Sequence, residues 1–492
     1  MAYHVPFAVS SLSYQEALEA LHATMRFGIV PLVETVEDML EELGRPERAY
    51  ACVQVAGTNG KTSTARYAAA MLAGEGRSVA LYTSPELVSY TERMEVRGVP
   101  VTERTFAHAV TCALAAARHV NERRRGAGER AYDVTEFDLL TVAALVAFAE
   151  AGVDVAVLEV GLGGRWDATS AACSIGTVAV TGVGLDHTRI LGDTVEKIAA
   201  EKAQVIKGGR SCVLGPGCAV PETVEGVFLA RCRDVGVTPV LVRPEDAADI
   251  PGMTGEGGKR RRVRERPELP LVRYRIEQRP RRLGEELGLT VATPRATYGD
   301  VRVARPSYQA ANVATAIALA EEALGRALDA GRMRKAVAGC PTPGRFDLLG
   351  ACPPVVVDAC HNPQSVSVFL EAVREVTPKR AERPTLVCAI LADKDADAMV
   401  RLLAPEFERV IVTQTSSPRA LPTADLAALF ERHGRIPMAV TASVEESLAL
   451  LGDHACVACG SITLAGELVG LLRTSSPCGG TSAIAHDEGL LR

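Results

Sequence analysis

The chain has 492 residues, a formal net charge of −6, 47% hydrophobic residues and 23% charged residues. This length exceeds the roughly 100–200 residues of one ordinary domain, so at least two domains are expected. The composition is that of a globular protein and excludes a disordered or fibrous one, while the mild acidity disfavours a nucleic-acid-binding protein. The longest largely apolar run, residues 139–149, is shorter than the ~20 residues that a membrane span needs.

The N-terminal sequence MAYHVPFAVSS lacks the basic and long apolar regions of a secretory signal, and thirteen Cys residues are scattered without paired spacing. We therefore expect a cytoplasmic protein with reduced, mostly buried thiols. Cys456 and Cys459, with His454 nearby, could suggest a metal or redox site. On a predicted strand, however, residues three apart point to opposite faces, so buried strand cysteines are the favoured interpretation.

The predicted elements begin with two amphipathic helices, SYQEALEALHATM and LVETVEDMLEEL, in which apolar residues recur at three- and four-residue spacing. Residues 51–56 (ACVQVA) are a short apolar run typical of a buried strand, and the helical stretch ARYAAAMLAGEG follows. SVALYTS and VDVAVLEVG are further buried strands that run into loops. This repetition of strand, loop and helix predicts an α/β fold, a parallel sheet with helices on its faces.

A phosphate-binding loop is predicted between the first strand and the helix after it. Glycines let backbone N–H groups turn inward, the helix N-terminus adds positive potential, and Lys61 supplies a cation for the β- and γ-phosphates. The strict pattern would require glycine at Val55, so this loop is a variant. A purely structural turn would not explain the Lys-Thr-Ser at the helix start, and we interpret the first domain as a P-loop ATPase. The loop consists of Gly57, Thr58, Asn59, Gly60, Lys61, Thr62 and Ser63.

The alternating pattern fails between residues 251 and 286. Residues 259–282 contain eleven Lys and Arg but only three acidic residues. Because aromatic interleaving is limited to Tyr274, we interpret this segment as a solvated basic insertion and not as a nucleic-acid or membrane surface.

The best candidate linker is the CPTPG stretch, in which two prolines and a glycine follow two predicted helices. After it, five predicted strands alternate with five helices that begin near Gln364, Asp395, Thr423, Val444 and Thr463, the pattern of a smaller Rossmann-like α/β domain. The predicted boundaries are 1–340 for the first domain with its parallel-rich sheet, 341–344 for the linker, 345–474 for the second domain and 475–492 for a disordered tail.

Nine motifs in register resemble the dihydrofolate synthase/folylpolyglutamate synthase family, a branch of the Mur ligase superfamily. The resemblance runs from about residue 13 to residue 473. The motifs are AGTNGKTS, SPELVSYTERMEV, TEFDLLT, LEVGLGGRWDAT, GLDHTRILG, IAAEKAQVIK, PGRFDLL, DACHNPQS and GSITLAGEL.

The resemblance implies an ATP-dependent ligase that adds L-glutamate to dihydropteroate or to (tetrahydro)folate polyglutamates. A carboxylate is a poor electrophile, so the family first phosphorylates it to an acyl phosphate, and the amine then displaces phosphate, leaving ADP and phosphate as products. The implied partners are small molecules only, with no nucleic acid and no membrane, and the implied state is a cytoplasmic monomer.

The resemblance also assigns the metal ligands, for two Mg²⁺ ions. Glu159 ends a strand, where ligands gather at a sheet edge, and Mg²⁺ prefers oxygen donors. Lys202 is expected to be carbamylated by CO₂, which converts a cation into a carboxylate. The implied metal ligands are Ser84, Glu159, His187 and Lys202, and the implied catalytic residues are Lys61, His187, Lys202 and His361.

For ATP, the resemblance adds Asn312, Arg345 and Asp358 to the loop residues. Arg345 directly follows the linker, so it is expected to reach across the cleft to the phosphates, with ATP between the two domains. His361 is expected near the incoming glutamate, although a role in helix capping is equally compatible with the sequence HNP.

For the pterin substrate, the resemblance implies a pocket formed by three motifs. Two positions depart from the family pattern: Ser170 replaces the usual Asn, and Trp166 stands where a smaller aliphatic residue is common. They affect the pterin pocket and not the ligase chemistry. The implied substrate-binding residues are Phe27, Gly28, Thr135, Glu136, Phe137, Asp138, Arg165, Asp167 and His361.

Two alternatives remain at this stage. One is another Mur-type ligase that adds an amino acid to a cell-wall precursor, although SPEL…TERM and TEFD are folate-branch motifs. The other is a P-loop switch without catalysis, which would have no use for a carbamate or an amino-acid site. The sequence leaves open whether the product is dihydrofolate, folate polyglutamates or both.

Overall fold

The chain folds around two sheets, as seen in a computed structural model that describes residues 3–24, 32–252, 264, 266–351 and 353–475. The predicted α/β class is confirmed, with a large parallel-rich sheet followed by a smaller one. The expected substrate residues Phe27 and Gly28 lie outside the described residues, as do residues 476–492 of the predicted tail.

The first sheet has eleven strands in the order β11-β10-β9-β8-β7-β6-β1-β5-β2-β3-β4. The six central strands and β9 pair in parallel, while short connections make both edges antiparallel. The strands are β1 (Ala51–Ala56), β2 (Val79–Tyr82), β3 (Met94–Val96), β4 (Val99–Pro100), β5 (Val155–Glu159), β6 (Ile175–Gly182), β7 (Ser211–Gly217), β8 (Val240–Pro244), β9 (Leu271–Gln278), β10 (Leu287–Ala292) and β11 (Thr297–Val303).

Helices cover both faces of this sheet, and alternate residues of one strand serve two cores. In β1, Cys52 and Ala56 pack into one core while Val53 and Val55 pack into the other. One core holds α1 (Tyr14–His22), α2 (Val33–Glu42), α4 (Glu103–Gly126), α5 (Glu136–Glu150), α6 (Thr188–Leu191), α7 (Val195–Lys202) and α8 (Glu222–Asp234), and the other holds α3 (Lys61–Gly74), α9 (Gln309–Leu324) and α10 (Ala330–Ala338).

The second sheet has the order β12-β13-β17-β14-β15-β16 and is parallel except at β12. All five predicted strands and helices are present, and the structure adds β12, which the sequence pattern did not reveal. The elements are β12 (Asp347–Ala351), β13 (Pro354–Val357), β14 (Thr385–Cys388), β15 (Val410–Val412), β16 (Ala439–Val440), β17 (Cys456–Cys459), α11 (Pro363–Val376), α12 (Ala396–Leu403), α13 (Thr423–Arg432), α14 (Val444–Leu451) and α15 (Ile462–Ser475).

The predicted basic insertion needs a correction, because β9 lies inside it. Val272 and Tyr274 point into a core while Arg273 and Arg275 point away, so the segment alternates with period two like any half-buried strand. The arginines on the outward face give the segment a high positive charge, and this charge conceals the alternation of buried and exposed residues. Residues 271–278 are therefore an integral part of the first sheet.

The two strand cysteines lie on opposite faces of β17, as predicted. Cys456 packs into one core of the second domain and Cys459 into the other. Within the described ranges, no helix has both the length and the apolar character needed to cross a membrane.

Replacing Tyr274 by alanine should test the corrected role of β9. Tyr274 is fully buried, and its hydroxyl donates a hydrogen bond to the Asp249 carbonyl at 2.8 Å. We expect Tyr274→Ala to lower the free energy of unfolding by about 3–5 kcal/mol. The exposed neighbour Arg275 provides the matched control, and Arg275→Ala should change it by less than about 0.5 kcal/mol. Equal effects in denaturant titrations would contradict the assignment.

Candidate active site

The two sheets meet at a cleft of about 390 Å³. The carboxyl ends of β1, β5 and β6 open into it from the first domain, and those of β13 and β14 from the second, as expected for ligand sites in parallel sheets. Every predicted ATP-binding, metal-binding and catalytic residue lines this cleft: Gly57, Thr58, Asn59, Gly60, Lys61, Thr62, Ser63, Ser84, Glu159, His187, Lys202, Asn312, Arg345, Asp358 and His361.

The phosphate loop is shaped by close backbone approach. Gly60 has a φ of +84° and directly precedes α3, and a Cβ at this position would lie 2.5 Å from Asn312 Oδ1. Asn312 donates in turn to Gln309 Oε1 at 2.7 Å. Asn312 therefore buttresses the loop, a contact that the sequence did not suggest.

A buried carboxylate lies beside the loop lysine. Glu159 is 2% exposed, and its Oε1 accepts a hydrogen bond from Thr62 Oγ1 at 3.0 Å. Burial raises the pKa of Glu159, while the nearby charges of Lys61 and Arg345 oppose the rise. Burial likewise lowers the pKa of Lys61, and Glu159 opposes that shift. Each group thus offsets part of the desolvation of the other.

Lys202 is buried in the cleft, although its sequence context alone is that of a surface helix lysine. Only 4% of it is exposed, and its Nζ donates to the Gly57 carbonyl at 2.8 Å. Burial, together with the charge of Lys61, lowers the pKa of Lys202 to about 7. A large fraction of this amine is therefore neutral near physiological pH.

The second domain reaches the loop through the segment just before β12. Arg345 Nη2 donates to Thr62 Oγ1 at 3.3 Å, so this guanidinium spans the cleft as expected. Asp358 accepts hydrogen bonds at 2.8 Å from the backbone N–H groups of Phe346 and Cys360. The Asp358 carboxylate thus holds the end of the linker in place.

A second carboxylate, Asp186, lies where the domains touch. It accepts hydrogen bonds from Lys394 Nζ at 2.9 Å and from Asn362 Nδ2 at 3.1 Å, and its Oδ2 lies 3.4 Å from His361 Nε2. Burial would raise the pKa of Asp186, but the hydrogen bond with His361 and the positive charge of Lys394 hold it well below its usual value.

Six described residues expected around the pterin are absent from the cleft lining: Thr135, Glu136, Phe137, Asp138, Arg165 and Asp167. Thr135 and Asp138 form a capping box at the start of α5, and Phe137 packs on Gly161. Asp167 is buried and accepts hydrogen bonds from the N–H groups of Leu162 and Thr169. Two charged side chains make separate contacts: Glu136 accepts from the Tyr90 hydroxyl at 2.8 Å, and Arg165 Nε lies 3.4 Å from Glu201.

Comparison with known proteins gives a consistent result. Residues 55–214 match the Mur ligase middle domain and residues 344–461 the Mur ligase, glutamate ligase domain. The dihydrofolate synthase/folylpolyglutamate synthase of Mycobacterium tuberculosis is 31% identical over 424 residues, covering 82% of this chain and 79% of that protein. The chain belongs to the folylpolyglutamate synthase/dihydrofolate synthase family.

Members of this family are ATP-dependent ligases. A probable bifunctional folylpolyglutamate synthase/dihydropteroate synthase of Haloferax volcanii is 34% identical over 423 residues, which cover 86% of this chain, and the chain spans 45% of its length. A crystal structure of Mycobacterium tuberculosis folylpolyglutamate synthase complexed with ADP and AMPPCP matches with a TM-score of 0.77 and 26% identity, covering 93% of this chain and 98% of that one.

Sequence reasoning missed Asp186, Asn362, Gln364 and Lys394; all but Asn362 line the cleft, and Asn362 donates a hydrogen bond to Asp186. The first three lie inside motifs already quoted, next to His187 and His361, so their position was a usable signal. Lys394 follows β14, and the carboxyl end of a parallel strand is where such a residue would be sought.

The donor set of the cleft fits Mg²⁺. Among the described residues, no three His, Cys, Asp or Glu side chains gather closely enough to hold a metal by themselves. Glu159, however, places a buried carboxylate next to the Thr62 hydroxyl, so two oxygen atoms lie within 3.0 Å of each other. Mg²⁺ typically takes one or two carboxylates and completes its shell with water and phosphate oxygens.

The close approach at Gly60 predicts a loss of nucleotide binding on substitution. Gly60→Ala adds the cost of a left-handed residue, about 1–2 kcal/mol, and pushes the loop against Asn312. We expect affinity for a non-hydrolysable ATP analogue to fall about tenfold or more, measured by calorimetry.

Gly76 provides the control, because it has a φ of +86° with nothing within 4 Å of an added Cβ. Gly76→Ala should lower the unfolding temperature and leave nucleotide affinity unchanged. If Gly60→Ala bound the analogue like the Gly76 variant, the contact with Asn312 would have no role in shaping the loop.

Proposed function

We propose that this ligase joins the amino group of L-glutamate to a carboxylate of dihydropteroate or of a folate polyglutamate. The carboxylate attacks the γ-phosphorus of ATP, so ADP leaves and an acyl phosphate forms. The neutral amine then attacks the acyl carbon, phosphate leaves, and the amine loses one proton. The observation that carries this proposal is the placement of Lys61 and Glu159 opposite Arg345, His361 and Lys394 in one cleft.

The phosphates of ATP belong at the loop. Lys61 and Arg345 are the two cations that flank Thr62, so they are placed to bind the γ-phosphate and to stabilise the charge that develops during its transfer. A folylpolyglutamate synthase with the same fold is complexed with ADP and AMPPCP, which supports nucleotide binding by this fold. Asp358 acts by holding Arg345 at the end of the linker.

The metal belongs beside Glu159, with Ser84, His187 and Lys202 as further ligands. When bound, Mg²⁺ would neutralise phosphate charge and polarise the transferred group. The protein residues supply the remaining charges. Glu159 provides a buried negative charge, and this carboxylate interacts electrostatically with the Lys61 ammonium.

L-Glutamate belongs on the side of the second domain. His361 and Lys394 line the cleft at its seam, and a dicarboxylate needs cationic or hydrogen-bonding partners there. His361 Nδ1 is 2.9 Å from the Ala359 carbonyl, so it donates and the ring is fixed in one orientation. The amine then approaches the acyl phosphate from the domain interface.

The acceptor carboxylate belongs on the remaining side, along the loop after β5. Gly161 and Leu162 line the cleft there, and Leu191 faces them. Asp167 fixes this loop through its hydrogen bond to Leu162. Trp166 on the same loop is 48% exposed and offers a flat apolar surface to an aromatic substrate.

Lys202 is proposed to carry a carbamate. The neutral amine adds to CO₂ and releases one proton, which yields an N-carboxylate with oxygen donors for a metal. The lowered pKa of Lys202, to about 7, and its burial next to Lys61 favour this reaction over that of an ordinary lysine.

An ADP-release assay tests the reaction. We expect ADP formation to require L-glutamate and either dihydropteroate or tetrahydrofolate, because the acyl phosphate turns over only when an amine attacks it. Turnover with a muramyl nucleotide and not with a pterin would instead favour a cell-wall ligase. ATP hydrolysis that is indifferent to all acceptors would favour a switch, and product mass would show how many glutamates are added.

Carbamylation of Lys202 has its own test in ¹³C NMR with labelled bicarbonate. Only the neutral amine reacts, so the carbamate signal should grow as the pH rises from 6 to 8, through the lowered pKa of about 7. Lys202→Gln should abolish the signal and lower kcat on the order of 100-fold. Lys197, an exposed lysine of the same helix, is the control, and Lys197→Gln should change neither. Retention of full activity in Lys202→Gln would refute this role.

A further inference from the structure

We infer that Asp186 is the positioning residue of the L-glutamate site: it ties Lys394 and His361 of the second domain to the phosphate-loop domain. This inference rests on the proposed function, because it concerns where glutamate binds. It assigns a role to a carboxylate that none of the predicted catalytic, ATP-binding or metal-binding sets contains.

The backbone places Asp186 at the contact between the two domains. It lies four residues after β6 ends, and the next residue, His187, has a left-handed backbone with φ +50°. The His187 N–H donates to Asp186 Oδ1 at 2.9 Å. The Asp186 side chain is only 11% exposed, so it is held away from bulk water and aimed at the second domain.

Three side chains from the second domain converge on this carboxylate. Lys394 Nζ lies 2.9 Å from Oδ1, and the Lys394 side chain is itself only 10% exposed. Asn362 Nδ2 lies 3.1 Å and His361 Nε2 3.4 Å from Oδ2. Residues from two separate segments, the start of α11 and the loop after β14, are therefore fixed by one side chain of the other domain.

The contacts constrain both His361 and Lys394, which line the proposed glutamate site. His361 is held at both ring nitrogens, by the Ala359 carbonyl and by Asp186. Lys394 has its charge compensated by Asp186 in a nearly dry setting. Removing the Asp186 charge would leave a poorly solvated ammonium without a counter-charge, which is costly, so Lys394 would move.

A second, uncharged link runs in parallel. Asn59 of the phosphate loop donates to Gln364 Oε1 at 2.9 Å and accepts from Asn362 Nδ2 at 3.2 Å. This link holds α11 near the nucleotide, whereas the Asp186 link reaches Lys394 and His361. Loss of Asp186 should therefore affect glutamate and spare ATP.

The test is a double-mutant cycle on Asp186→Asn and Lys394→Met. Asparagine keeps the shape of Asp186 but is uncharged, so it cannot form an ion pair with Lys394. We expect each single variant to raise KM for L-glutamate about tenfold or more, with KM for ATP changed less than about twofold. The double variant should be no worse than about twofold beyond the worse single variant, because both remove the same contact. Asp186→Glu should recover part of the loss.

Asp193 supplies the matched control, since it forms an exposed pair with Lys197 at 2.8 Å. Asp193→Asn should leave both KM values unchanged. The inference is overturned if Asp186→Asn raises KM for ATP as much as KM for glutamate, or if the effects of the two substitutions on KM for glutamate simply multiply.

Unfolding temperatures measured without substrates test the contact between Asp186 and Lys394 independently of the reaction. Non-additive shifts of the unfolding temperature in the Asp186–Lys394 cycle support the link between the domains. This holds even if the wild-type enzyme shows no glutamate-dependent ADP release, because that result would contradict only the proposed function. Additive shifts overturn the link, whatever the enzyme catalyses.

Discussion

The cleft contains buried charged side chains that compensate one another, and the rest of this structure depends on this constraint. Glu159, Asp186 and Lys202 lose most of their contact with water, which is unfavourable unless opposite charges or hydrogen-bond partners take its place. The partners come from different elements, and several come from the other domain. The carboxyl ends of strands from both sheets must therefore face the same cleft for the charges to be tolerated.

This requirement explains why the phosphate loop is so closely buttressed. Gly60 has no room for a side chain because Asn312 packs against it, and Lys202 donates to the carbonyl of Gly57. The loop is thus fixed before any ligand arrives, so the cation of Lys61 is placed without further ordering. Preorganisation of this kind reduces the reorganisation that a charged transition state would otherwise require.

The two domains contribute different functional residues to the site. The first domain supplies the loop, the carboxylate Glu159 and the amine Lys202, while the second supplies Arg345, His361 and Lys394. Asp358 and Asp186 support the site from within the cleft lining. They hold other residues, one at the linker and one across the seam. A ligase with three substrates needs such supporting carboxylates, because small displacements of a nucleophile are expensive in rate.

Sequence reasoning found most of the elements but misjudged those whose pattern was masked. β9 was hidden because its outward arginines dominate the local charge, although Val272 and Tyr274 keep the inward alternation. β12 was missed because its antiparallel pairing to β13 follows from a tight connection and not from an alternating unit. Thr135 and Asp138 of the TEFD motif form a capping box at the start of α5, and their assignment to the substrate stays a prediction. Asp186 and Lys394 were overlooked because their significance lies in a contact between residues about 200 positions apart.

The sequence by itself determined the α/β class, the phosphate loop, the family and part of the cleft lining, because each depends on local pattern or on ordered motifs. Only the tertiary structure decided which charges compensate one another, that Lys202 is buried, and that Asp186 joins the domains. Burial and pairing are properties of distant segments brought together, and no local pattern records them.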